Sequence, residues 1–154
     1  FGAIRQDIIA QLVEQAPIIN VKNGAYLFRE GDRGTSMYII ESGRMAAIKK
    51  WGTDEYLLKQ LAQGDCIGEM ALFDFLPRSA SIISTENTAL IEITAADLLN
   101  IYHQDLEQFT LLQMNLGREV TRRLRAADEQ LFHERMQTTI DGEDVSFQPY
   151  LKIQ

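Results

Sequence analysis

Gly68-Glu69-Met70-Ala71-Leu72-Phe73, followed by Pro77-Arg78-Ser79-Ala80-Ser81, gathers one acid, one arginine, one hydroxyl and a run of backbone amides into a short span. Such a set suits a small ligand that carries both a ribose and a phosphate. A carboxylate accepts hydrogen bonds from sugar hydroxyls. The planar guanidinium fork matches phosphate oxygens in a charge-assisted pair worth roughly 1.5–3 kcal/mol. A short helix from Glu69 to Phe73 leaves its first N–H groups without intrahelical partners and aims them at an anion. Read in isolation, Glu69 and Arg78 also fit a surface ion pair that contributes almost nothing, and Ser79 fits an ordinary strand start.

Around this stretch, from Ile18 to about Ile93, short apolar or alternating runs are cut by Asn23-Gly24, Gly31-Asp32, Ser42-Gly43, Gly52-Thr53-Asp54 and Gly64-Asp65. Many short strands at this spacing predict a sandwich or barrel. Before them, Ile4, Ile8, Ile9, Leu12 and Val13 share one face of a helix over Ile4 to Gln15, which Pro17 ends. After them, Thr94 caps a helix from Ala95 to about Tyr102, with Asp97 at its third position. A long helix from about Leu106 to Met136 carries the stripe Phe109, Leu112, Leu116, Val120, Leu124, Ala127 and Leu131. The stripe is a packing face, against either the strand region or a second copy. Arg118, Arg122, Arg123, Arg125 and Arg135 crowd this helix, but Glu119, Asp128, Glu129 and Glu134 nearly balance them, which reads as a solvated face and not a DNA patch. Residues 137–154 have no period and read as an acidic, flexible tail, with a short extended piece at Val145 to Phe147.

Composition sets the outer bounds. A chain of 154 residues is long enough for one domain with a real core. No apolar run approaches the length of a membrane span. The first residues, Phe1-Gly2-Ala3-Ile4-Arg5, do not resemble a signal peptide, and without an initiator methionine they read as the start of a processed or excised piece. The single Cys66 cannot form an internal disulfide, so a cytoplasmic location is expected. A net charge of −7 lacks the basic footprint of a stand-alone nucleic-acid binder. A metal-dependent enzyme built on a sandwich or barrel needs histidines in its strands, and none occurs between Ile18 and Ile93; His103 and His133 sit on the helices. No Ser-His-Asp or Cys-His order supports a nucleophilic enzyme either.

The two motifs together resemble the phosphate-binding cassette of cyclic nucleotide-binding domains. That family includes bacterial catabolite activators, regulatory subunits of cyclic AMP-dependent protein kinase and cyclic nucleotide-gated channels. Further resemblance lies in Phe28-Arg29-Glu30-Gly31-Asp32 (an early strand and turn), in Met37-Tyr38-Ile39-Ile40-Glu41-Ser42-Gly43 (a central hairpin) and in Gln63-Gly64-Asp65-Cys66-Ile67 (the approach to the cassette). Each piece is weak alone, and their common order from about Ile18 to Leu131 is specific. The resemblance implies a mainly β fold with flanking helices: a double-stranded β-helix, or jelly roll, over 18–93, preceded by a helix in 1–16 and followed by helices in 95–136. Residues 1–136 form the domain. It also implies a ligand site at Gly68, Glu69, Met70, Ala71, Leu72, Arg78, Ser79 and Ala80, with Leu58 and, from the long helix, Arg123, Ala127 and Asp128. Arg123 matches a position that braces the cassette glutamate.

Three departures matter. Bacterial transcription factors of the family carry a helix-turn-helix after the long helix, whereas here only the tail from Gln137 follows, so no DNA contact by this chain is expected. A Thr-Ser pair that reads adenine in the bacterial activator aligns with Ala127 and Asp128; Ala127 cannot hydrogen-bond through its side chain and Asp128 can only accept. Ser79 follows the cassette arginine, which in the family leans to cyclic AMP, while Asp128 leaves cyclic GMP open. The expectation is a non-enzymatic cyclic nucleotide sensor, most simply for cyclic AMP, with no cofactor or metal. It dimerises through the long helix, whose movement reports occupancy. The competing expectation is a degenerate, ligand-free scaffold.

Overall fold

The computed structural model describes residues 4–14 and 16–140, with side chains through residue 136. The tail reading from 141 onward, including the extended piece at Val145 to Phe147, lies outside the described residues. Helix α1 (Gln6–Glu14) precedes eight strands: β1 (Ile18–Val21), β2 (Tyr26–Phe28), β3 (Ser36–Ser42), β4 (Arg44–Trp51), β5 (Asp54–Ala62), β6 (Cys66–Ile67), β7 (Ser81–Ser84) and β8 (Thr88–Thr94). A short helix α2 (Met70–Asp74) interrupts them, and α3 (Ala95–Gln104) and α4 (Leu106–Ile140) follow.

The strands form two antiparallel sheets in the orders β1-β8-β3-β6 and β2-β7-β4-β5, a jelly roll with flanking helices. Strand β8 shows why this sequence folds in layers. Leu90 points between the sheets, where it joins Val21, Ile40, Met45, Leu61, Ile67 and Ile82. Its neighbours Ile91 and Ile93 point the other way and pack with Ile8 and Leu12 of α1, Leu98 and Ile101 of α3, and Leu112 and Leu116 of α4. Alternate residues therefore serve two cores, and the strand reads as nearly continuous apolar sequence.

The stretch from Met37 to Gly43 is not half of a hairpin. Strand β3 pairs with β6 and β8, whereas β4 pairs with β5 and β7, so Ser42-Gly43-Arg44 turns a corner from one sheet to the other. Gly43 has φ +93°, and a Cβ there would press on the Thr88 backbone. The Thr88 hydroxyl locks the corner, accepting from Arg44 N at 3.2 Å and donating to Arg44 O at 3.1 Å. The hairpin is β4–β5, closed at Gly52-Thr53.

The Thr94 cap forms as a complete box: its hydroxyl accepts from Asp97 N at 3.2 Å, and the Asp97 carboxylate accepts from Thr94 N at 2.8 Å. Helix α1 starts two residues later than its apolar face predicts. Ile4 is buried, but Arg5 N is held by the Gln108 side chain at 2.8 Å, outside the helical pattern. Helix α4 extends past Met136 to Ile140. The chain divides into two compact units, Phe1–Leu116 and Gly117–Gln154. In the first, Leu112 and Leu116 of the α4 stripe are buried; in the second, Leu124 and Leu131 are exposed.

Candidate ligand-binding site

Strand β6 ends at Ile67, and Gly68, with φ +76°, turns the chain into α2 with Glu69 as its N-cap residue. Phe75, at φ 55°, terminates α2 in the left-handed region, and the chain doubles back through Leu76 and Pro77 to Arg78. The motif from Phe28 to Asp32 now acquires a physical role. Its turn is closed by Arg29 N donating to the Asp32 carboxylate at 2.7 Å. The same turn takes Arg78 by its backbone: Arg78 N donates to Asp32 O at 2.8 Å, and Gly31 N donates to Arg78 O at 2.9 Å.

The Arg78 side chain reaches from the β7 side of the molecule to the other sheet. Its Nη1 donates to Gly68 O at 2.8 Å and its Nη2 to Ser36 O, at the start of β3, at 2.7 Å. The guanidinium carbon lies 4.2 Å from the centre of the Phe28 ring and 5.9 Å from that of Tyr38. Arg78 is 5% exposed and Glu69 only 1%, which removes the alternative of a solvated surface ion pair. Burial draws the Arg78 guanidinium down from its ordinary value, while Tyr38, Asp32, Glu69 and Glu92 pull it back up. An arginine starts so high that it remains a cation at neutral pH. Tyr38 donates to Glu92 at 3.1 Å across the β3–β8 pair, and burial followed by the Glu92 charge raises its phenol.

The other expected residues divide into three groups. Met70 and Ser79 are exposed and adjacent, with Ser79 Oγ 3.9 Å from Met70 Sδ; Ala71 is buried, and Leu72 and Ala80 are half-buried. Leu58 is the exposed extra residue of a bulge, since Ala47 pairs with Lys59 and Ile48 with Leu57; β4 separates it from the cassette strand β7. Arg123, Ala127 and Asp128 belong to the second unit. There Arg123 Nε pairs with Glu119 at 3.3 Å, one helical turn away, and Ala127 and Asp128 are exposed.

Sequence reasoning missed several neighbours. Lys49 Nζ lies 3.2 Å from Ser79 O and 3.2 Å from the Glu30 carboxylate, which adds a second cation beside the cassette. Phe28 and Tyr38 underlie the arginine, and Gly34 joins the expected Gly68 in enclosing it: a Cβ at either glycine would collide with the guanidinium. Strand alternation could have found Tyr38 and Glu92 only with the β3–β8 register in hand. Among the described residues no cluster of three or more His, Cys, Asp or Glu side chains could hold a metal ion, and no helix is long and apolar enough to cross a membrane.

Comparisons with known proteins converge on this architecture. The profile of the family described as "Cyclic nucleotide-binding domain" matches residues 18–105, more than half of the chain. The cyclic AMP receptor protein of Thermus thermophilus is 34% identical over 109 residues, 70% of this chain and 49% of that protein. A cAMP-dependent protein kinase regulatory subunit from Colletotrichum orbiculare is 37% identical over 70 residues, 46% of this chain and 17% of its own length. The chain thus spans half or less of these relatives. The crystal structure of a cyclic nucleotide-binding domain from Methylobacillus flagellatus superposes with a TM-score of 0.80 at 21% identity, covering 87% of this chain and 76% of that one, a likeness of fold.

Proposed function

From the premise that this chain belongs to the cyclic nucleotide-binding domain family, we propose that it is a cyclic AMP sensor module whose ligand is held by the cassette from Gly68 to Ala80. The observation that carries the reading is the buried Arg78. Two of its five N–H donors go to Gly68 O and Ser36 O, so the guanidinium is held at a fixed place and angle beside α2. A cation held in place binds a phosphate without first losing its own side-chain freedom. Its remaining donors take the phosphate, Ser79 adds its hydroxyl, and buried Glu69 accepts from the ribose.

In this reading Ala127 and Asp128 meet the base, Leu58 flanks it, and Arg123 braces Glu69. Ligand binding shifts the long helix between two positions, which an attached or partner domain reads. The exposed Leu124 and Leu131 support a homodimer seam along that helix. The module acts by binding and not by catalysis, and its single cysteine suits the reducing cytoplasm. Preference for cyclic GMP is the second reading, favoured by the acceptor-only side chain of Asp128. Isothermal titration with both nucleotides tests the proposal, and wild-type protein that binds neither at millimolar concentration rejects it in favour of a ligand-free scaffold.

A further inference from the structure

We propose that Phe28 is a positioning residue for phosphate recognition, acting through Arg78; the inference rests on the cyclic nucleotide reading above. Four features make a slot around one guanidinium. Phe28 is its floor, with the guanidinium carbon 4.2 Å from the ring centre. Tyr38 extends that floor: the two rings are 6.2 Å apart and tilted by 36°, and Tyr38 is anchored in turn to Glu92 at 3.1 Å. Gly34 and Gly68 are the walls, where a Cβ has no room. The carbonyls of Gly68 and Ser36 fix the in-plane rotation at 2.8 and 2.7 Å.

The two carbonyls alone leave the guanidinium free to tip about the line joining them. An aromatic face beneath it removes that freedom, because a cation is drawn to the negative face of a ring. Phe28 therefore sets the plane in which the remaining N–H groups are presented. A phosphate reads that plane, since bidentate pairing demands coplanar donors. Phe28 also borders the apolar core between the sheets, so a purely structural role must be separated from this one.

The experiment is a double-mutant cycle read by calorimetric titration with cyclic AMP on the full chain, using Phe28→Leu, Phe28→Tyr, Arg78→Lys and the Phe28→Leu/Arg78→Lys pair. Phe28→Leu is expected to weaken binding about tenfold, and Phe28→Tyr, which keeps the π face, by less than about threefold. In the Arg78→Lys background the Phe28→Leu effect should shrink below about twofold, since an ammonium has no plane to orient. Should Phe28→Leu unfold the chain, Phe28→Met, which fills the slot without a π face, carries the same expectation. Equal binding by Phe28→Leu (or Phe28→Met) and wild type overturns the inference alone. So does an equal loss in both Arg78 backgrounds, which marks a purely structural role. A wild-type chain that binds no cyclic nucleotide overturns the functional reading and this inference with it.

Discussion

Arg78 and Ser36 join the two sheets of the jelly roll: Nη2 of the arginine, which precedes β7, donates to the carbonyl of the first residue of β3 at 2.7 Å. The arginine proposed above to meet the phosphate is therefore also a structural tie. Arg78→Ala should cost stability as well as affinity. The buried Ser36 carbonyl and the partly buried Gly68 carbonyl lose a charged donor, which lowers the free energy of unfolding by about 2–3 kcal/mol in a denaturant titration. Cyclic nucleotide binding should weaken by about 2–4 kcal/mol. Arg78→Lys should lose much of the affinity, because an ammonium cannot reproduce the fork. Glu69→Gln should cost less, since an amide oxygen still accepts from a ribose hydroxyl. An Arg78→Ala protein with wild-type affinity places any ligand elsewhere.

Gly68 tests the same slot from its wall. Its φ of +76° strains any other residue, and a Cβ would meet Nη1 of Arg78. Gly68→Ala should destabilise the ligand-free chain by at least about 1 kcal/mol. It should also weaken binding, because the arginine must move. Gly24, also at positive φ (+77°) but with open space around its Cβ position, is the control. Gly24→Ala should show the conformational cost alone, with affinity unchanged. Equal loss of affinity in both variants contradicts the slot.

How far this arrangement was legible depended on whether its parts were local. Thr94 and Asp97 sit three residues apart, and their capping box was readable from that spacing. The turn spacing reached only a sandwich or barrel; the family resemblance carried by the ordered motifs around Gly31, Gly43, Gly64 and Gly68 narrowed it to the jelly roll. The burial of Arg78 was not readable, because Glu69 and Arg78 fit a surface ion pair equally well in isolation and the acceptor on Ser36 lies 42 residues away. The Tyr38–Glu92 pair, 54 residues apart, needed the strand register. The hairpin that the resemblance implied at Met37 to Gly43 does not form, and the sequence could not show this because a Ser-Gly turn does not reveal which sheet the next strand enters. Helix α4 outran its expected end because no glycine or proline occurs between Gly117 and Gly142.

Tyr38 gives the fold a pH dependence of defined sign. Its folded value is raised above the ordinary 10.0, so the stability linked to its protonated form is complete below about pH 10. That stability is lost as pH rises through the higher folded value. Tyr38→Phe has no proton to lose. The stability difference between wild type and Tyr38→Phe should therefore narrow or reverse as the pH climbs above about 10, measured by urea denaturation at each pH. A difference that stays constant from pH 8 to 11 contradicts the shift.

Asp128 and Leu124 test the long helix. Asp128→Ala should change the ratio of cyclic AMP to cyclic GMP affinity more than it changes ligand-free stability. If Asp128 meets only solvent, both affinities should move by less than about 0.5 kcal/mol. Leu124→Glu should convert a dimer into a monomer by light scattering, because it places a charge in an apolar seam. A wild-type chain that is monomeric at micromolar concentration rejects the seam and leaves the cassette untouched.

The most direct measurement is thermal unfolding of the wild-type chain with and without cyclic AMP and cyclic GMP. A ligand of about 22 heavy atoms at roughly 0.3 kcal/mol per atom implies binding near −7 kcal/mol, in the micromolar to tens of micromolar range. At about a hundredfold excess over Kd the native state gains about 2.7 kcal/mol, which raises Tm by roughly 5–10 °C for a domain of this size. The account predicts that rise with cyclic AMP, and its loss in Arg78→Ala. An unchanged Tm with both nucleotides at millimolar concentration would contradict it.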